Sequence, residues 1–168
     1  IRQPELAKTL KLLGAAGHDG FYRGEVAEQM VVGVRAGGGI WNLRDLADYQ
    51  VIERQPLLYK LDHNRLLVSA PPPSAGGVAV AQSLGMLQQL PWQAAEPVQR
   101  AHYVAEALRR AYRDRGLLGD PDHVKNPLKQ LLDANYLQQL AKGIDPLRAT
   151  SSSLPPAPAW REGDHTTH

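Results

Sequence analysis

PVQRAHYVAEALRRAYRDR, residues 97–115, is the stretch whose reading decides the fold class. Ala101, Val104, Ala105, Leu108, Ala111 and Tyr112 recur at i, i+3, i+4, i+7, i+10 and i+11, the spacing of one face of an α-helix. Glu106 and Arg110 form an i, i+4 pair, acid before base, on the polar side of that helix. Arg109, Arg110, Arg113 and Arg115 cluster on the same solvated face without interleaved aromatics. Nucleic-acid binding therefore has little support.

Outward from this helix the chain continues mainly helical. Pro4 suits a first helical turn, Leu6, Leu10 and Leu13 repeat at i, i+4 and i+7, and Gly17 can close the end. Ala27, Met30, Val31 and Val34 make one apolar face before Gly37-Gly38-Gly39 stops the second helix. Asn42 reads as a cap, with Asp45 at the third position, for a short helix to about Asp48. Between Tyr49 and Ser69 the pattern changes to short apolar runs, Val51-Ile52, Leu57-Leu58-Tyr59 and Leu66-Leu67-Val68. Asp62-His63-Asn64 separates the last two, which predicts extended structure with a hairpin. Beyond Pro71-Pro72-Pro73, Ser74-Ala75-Gly76-Gly77 leads into a helix carrying Val80, Leu84 and Leu87. A last helix runs from an Asp133 cap through Leu137, Leu140 and Ala141 to Gly143. The expected architecture is α+β, mainly helical, with about six helices and a small β element near residues 49–69. Residues 150–168, including Leu154-Pro155-Pro156-Ala157-Pro158, lack apolar periodicity and read as an extended linker.

Composition sets further bounds. At 168 residues the chain suits one domain with a real core, and 43% apolar with 21% charged residues is ordinary for a globular protein. The 19 basic and 17 acidic residues leave a net charge of only +2, and no apolar run is long enough to span a membrane. Cysteine is absent, which excludes disulfides, thiolate metal sites and a Cys nucleophile. The start at Ile1, without Met or a signal peptide, reads as that of a fragment or excised domain.

Four residues carry the chemistry: His165-Thr166-Thr167-His168. A Thr hydroxyl is a weak nucleophile unless a base takes its proton, and its own α-amino group can serve once the preceding bond is cut. Elsewhere, Ser74-Ala75-Gly76-Gly77 offers helix N-terminal N–H groups to an anion. A packed helix start is the plainer reading, and no base adjoins Ser74. Asp120, Asp122 and His123 form a turn and not a metal site. His165 and His168 likewise lack ligand spacing. No metal or cofactor is assigned.

In order along the chain, Gln3-Pro4-Glu5-Leu6-Ala7 with Phe21-Tyr22-Arg23-Gly24, Gly37-Gly38-Gly39-Ile40 with Asp45-Leu46, Ala70-Pro71-Pro72-Pro73-Ser74-Ala75-Gly76-Gly77, Ala111-Tyr112-Arg113-Asp114-Arg115 with Leu118-Gly119-Asp120-Pro121-Asp122, and Thr166-Thr167-His168 resemble the γ-glutamyltransferase family. The similarity is to the C-terminal half of its large subunit, up to the self-cleavage site. Ala75, where a second Ser is common, and the Leu-rich Arg115-Gly116-Leu117-Leu118 depart from the family pattern.

The resemblance implies part of an N-terminal-nucleophile hydrolase fold, with residues 1–149 a large-subunit segment and 150–168 the linker to the cut. It implies self-cleavage at His165–Thr166, and Thr166 as the nucleophile that takes the γ-glutamyl group of glutathione and passes it to water or an amino acid. It puts the oxyanion hole in a missing small subunit and a carboxylate-binding Arg before Ile1, so the chain alone is expected to be inactive and to self-associate. A periplasmic or secreted location goes with the family. The alternative is a non-catalytic helical binding or interaction domain of the same ancestry.

Overall fold

The computed structural model describes residues 2–151, and their contacts gather into two compact units, one ending at Glu53 and one beginning at Arg54. The expected fold class is what these residues form: helices throughout, with one two-stranded sheet.

The first unit holds α1 (Pro4–Ala16), α2 (Asp19–Tyr22), α3 (Gly24–Ala36) and α4 (Leu43–Ala47). Ala27 and Val31 of α3 meet Leu46 of α4 in a small core that Tyr22 and Met30 border, so the apolar face read for this helix is the buried one. Asn42 and Asp45 form a reciprocal capping box. The Asn42 side chain accepts from the Arg44 and Asp45 amides, and Asp45 accepts from the Asn42 amide at 2.8 Å. By contrast, α1 buries none of its residues, and its Leu6 and Leu10 remain exposed. Lys8 of α1 donates to Glu25 of α3 at 2.5 Å, an exposed pair.

The second unit opens with a hairpin, β1 (Leu57–Lys60) against β2 (Leu66–Ser69), antiparallel with Leu57 opposite Ser69 and Lys60 opposite Leu66. The Asp62 carboxylate closes the turn by accepting from the Asn64 and Arg65 amides, each at 2.9 Å. These donors, with the Arg65 side chain, hold its carboxyl below the usual Asp range. Val51 and Ile52, read as extended, lie outside both strands and are exposed.

Then come α5 (Gly76–Leu87), α6 (Pro97–Asp114), α7 (Leu128–Leu131) and α8 (Ala134–Lys142). The six expected helices all form. The one-turn α2 and α7 are additional, too short to show a period.

Helix α5 is the hub. Nine of its twelve residues are buried, because it is covered on most sides by α6, α7, α8 and the hairpin. Small residues make this possible. A Cβ on Gly85 would stand 2.5 Å from Tyr59 Oη and 2.6 Å from Leu137 Cδ1, so glycine here leaves room for the ends of these two side chains, one from β1 and one from α8. Met86, Leu87, Tyr103, Ala107, Ala111, Leu137 and Ala141 form the main core, and Leu57, Val78, Leu117, Leu118 and Leu131 form a second cluster.

Two helix faces differ from the sequence reading. In α5, Val80 of the expected apolar face is exposed while Ala79, Ala81 and Gln82 are buried. In α6, Ala101, Ala105, Leu108 and Tyr112 face outward, with Tyr112 62% exposed. The buried face is Tyr103, Glu106, Ala107, Arg110, Ala111 and Asp114. Periodicity assigns charge to water, but here the charges neutralise one another inside, and hydrogen-bonded pairs are the condition for burying them.

Candidate functional site

Thr166 and the His165–Thr166 bond lie outside the described residues, as do His168 and most of the linker. The structure does describe Thr150 and Ser151, where the sequence places the start of that linker, together with the stretch from Gly143 that leads to them and its attachment to α6.

Four side chains on one stripe of α6 grip this segment. Gln99, His102, Glu106 and Arg110 are spaced by three, four and four residues, so they lie on one helix face. Gln99 Nε2 donates to Pro146 O at 2.6 Å. His102 Nε2 lies 2.8 Å from Asp145 O, a contact that requires the proton on Nε2. Arg110 Nη2 donates to Gly143 O at 2.6 Å and to Thr150 Oγ1 at 3.2 Å.

Glu106 completes the attachment. Its Oε1 accepts the Thr150 amide at 3.1 Å, and its Oε2 accepts both the Thr150 hydroxyl and Arg110 Nη1, the latter at 2.7 Å. Glu106 is 1% exposed and Arg110 4%, so this is a buried ion pair and not the solvated pair that the i, i+4 spacing implies. Burial pushes the Glu106 carboxyl up, but the Thr150 hydroxyl, Arg110 and the Thr150 amide together hold it below the ordinary carboxylate range. Removing one partner of such a pair strands a buried charge and typically costs about 3–5 kcal/mol.

A second buried network lies further along α6. Asp114, fully buried, accepts from Gln82 Nε2 at 3.0 Å, Tyr136 Oη at 2.7 Å and Arg113 Nη2 at 2.7 Å. Gln82 also donates to Leu131 O at 3.1 Å, so one amide joins α5 to α6 and α7. This network is structural in geometry: every charge in it has an internal partner.

The other candidates read from the sequence are placed as follows. Asp120 and Asp122 both accept from Arg54 Nη2 at 3.2 Å, which draws the Gly119–Asp122 turn to the start of this unit. Asn126 bonds both the amide and the carbonyl of Gly119, at 2.9 and 3.0 Å. His123 is exposed. Among the described residues no three His, Asp or Glu side chains group as metal ligands. At Ser74-Ala75-Gly76-Gly77 the chain packs against β2: a Cβ on Gly77 would stand 2.6 Å from Ala70 O, and Ala75 is fully buried at the cap position. No side chain caps this helix. A recess of about 580 Å3 beside the hairpin turn is lined by Leu61, Leu84, Leu90 and Trp92, with Arg65 at its edge and already paired to Asp62. Among the described residues, no helix is long and apolar enough to cross a membrane.

Sequence reading missed the grip. The signal was present as four polar residues at helical spacing, but the partner, Thr150, sits where no period exists.

The pattern that defines the γ-glutamyltranspeptidase family matches residues 1–168. The chain is 44% identical over 172 residues to a glutathione hydrolase proenzyme of Pseudomonas sp. (strain A14), covering 99% of this chain and 29% of that protein. It is 37% identical over 175 residues to the glutathione hydrolase proenzyme of Escherichia coli (strain K12), covering 99% of this chain and 29% of that one. The crystal structure of Helicobacter pylori γ-glutamyltranspeptidase superposes with a TM-score of 0.77 at 34% identity, over 92% of this chain and 45% of that chain. The chain belongs to the γ-glutamyltranspeptidase family. It spans less than a third of the length of these curated relatives.

Proposed function

We propose that this chain is a segment of a glutathione hydrolase proenzyme, the C-terminal half of its large subunit, and that it carries the nucleophile Thr166. The observation behind this reading is the family match over residues 1–168, which takes in Thr166-Thr167-His168. That the relatives are proenzymes supports a precursor that is processed.

In the maturation step the Thr166 hydroxyl adds to the His165 carbonyl carbon and the C–N bond breaks, leaving an ester on Thr166 Oγ1 and a free α-amine. Water then hydrolyses the ester, releasing the His165 carboxyl and restoring the hydroxyl. The net change is one water across one peptide bond. The freed amine, with an ordinary pKa of ~7.7–8.0, accepts the hydroxyl proton when Thr166 attacks a γ-glutamyl amide. The leaving amine departs, and water or an amino acid takes the acyl group from Thr166.

This mechanism assigns the oxyanion donors and the glutamyl pocket to segments other than this chain, and losing even one such donor costs on the order of 100–1000-fold. The isolated chain is therefore inactive and keeps its His165–Thr166 bond. The test is intact-mass measurement and γ-glutamyl-p-nitroanilide turnover on the full-length chain containing this segment. Wild type should be cut before Thr166 and release nitroaniline, and Thr166→Ala should do neither. Normal processing of Thr166→Ala overturns the proposal. Turnover by the isolated chain above a heat-killed control overturns the assignment of its missing parts.

A further inference from the structure

Resting on the proposed maturation at His165–Thr166, we infer that Glu106 and Arg110 of α6, acting on Thr150, are positioning residues for self-cleavage. They fix the point from which the lead-in to the scissile bond departs.

The geometry carries this in three ways. First, the attachment is specific: the Thr150 amide and hydroxyl use separate oxygens of one carboxylate, and Arg110 bonds both that carboxylate and the Thr150 hydroxyl. An apolar contact would hold the chain near α6, but this pattern also fixes its rotation at residue 150. Second, Glu106 and Arg110 are buried and Thr150 is half-buried against them, so these bonds are partly shielded from water, and the donors to the Glu106 carboxylate outweigh the burial that opposes its ionisation. Third, Gln99 and His102 of the same helix hold the stretch before Thr150 through the backbone carbonyls of Pro146 and Asp145, which any residue supplies, whereas Thr150 is held through its side chain as well.

Thr166 lies sixteen residues beyond that point, a lead-in of at most roughly 55 Å at full extension. Attack by a hydroxyl on the adjoining carbonyl needs near-attack geometry, in which a displacement of about 1 Å can cost on the order of 100-fold. A fixed root narrows the placements open to the bond. Glu106 and Arg110 touch no reacting atom in this scheme. They act through Thr150.

The experiment uses the full-length precursor, following conversion to two chains by intact mass with the melting temperature measured alongside. Thr150→Val keeps the shape and removes the hydroxyl, and we expect maturation about tenfold slower. Thr150→Ser restores the hydroxyl and should mature within about twofold of wild type. Leu137→Ala, in the core away from the grip, serves as a control that lowers stability without touching Thr150, and it should mature at the wild-type rate. Equal maturation rates for wild type and Thr150→Val overturn the inference, as does slowing that follows melting temperature through Leu137→Ala as well. If the wild-type precursor is not cut before Thr166, the proposed function itself fails. If wild type is cut and Thr150→Val keeps pace, only the positioning role fails.

Discussion

Tyr136 at the start of α8 donates its hydroxyl to the fully buried Asp114 at the end of α6, 2.7 Å away and 22 residues apart in sequence. The same hydroxyl accepts from Arg113 Nη2 at 3.0 Å. Burial, and then Asp114 itself, raise the Tyr136 phenol well above the ordinary tyrosine value of 10.0. A phenol raised in the folded state contributes stability that is fully present below pH 10.0 and lost as pH rises through the raised value.

Tyr136→Phe should therefore cost about 1–2 kcal/mol at neutral pH, since Asp114 keeps Gln82 and Arg113 as donors. The alkaline loss of stability should also shrink, leaving the part due to Tyr59, whose phenol burial raises as well. Urea midpoints measured from neutral to alkaline pH decide this. Parallel curves for wild type and Tyr136→Phe would contradict the role given to the hydroxyl.

Gly85→Ala and Gly14→Ala should move stability in opposite directions. Alanine favours both helices by about 1 kcal/mol. At Gly85 the new methyl meets Tyr59 Oη and Leu137 Cδ1 inside contact distance, and overpacking of this kind costs about 1–3 kcal/mol. At Gly14 it meets nothing within 4 Å. Thermal denaturation should show Gly14→Ala melting higher and Gly85→Ala lower than wild type. A higher melting point for Gly85→Ala would mean that the Tyr59 and Leu137 side chains can move aside at little cost.

The outward stripe of α6 bears on association. Val98 is 84% exposed, and Leu108 and Tyr112 lie on the same exterior, an apolar surface of the kind that marks an interface. Under the proposed function other segments of the proenzyme cover it. The isolated chain should then self-associate, with a sedimentation coefficient that rises with concentration, and Leu108→Lys with Tyr112→Lys should abolish the rise. A chain that stays monomeric across the same range would count against the covered-face reading.

The helices were legible because their signals are local. The caps at Asn42 and Asp133 and the α3 and α8 faces sit where sequence puts them. Orientation was less legible, since a period names the stripes of a helix without saying which one is inside. In α6 the apolar stripe looks inward by composition, but Glu106, Arg110 and Asp114 find partners 22 to 44 residues away. Those partners cannot be read from spacing along a single helix. Val51 and Ile52 failed for the opposite reason: two apolar residues satisfy a strand pattern without any strand to pair with. Thr166 lies outside the described residues, and its reading as a nucleophile is a proposal that rests on the terminal residues themselves and on the family match.

Arg110 Nη2 binds the chain at Gly143 and again at Thr150, so the intervening residues form a lasso whose two ends meet on one nitrogen. Leu147 at its outer edge is almost fully solvated, and residues added there would enlarge the noose without displacing the knot. Evolution can thus lengthen or rewrite the stretch around Leu147 while Ile144 stays in the core and Thr150 keeps its place on α6.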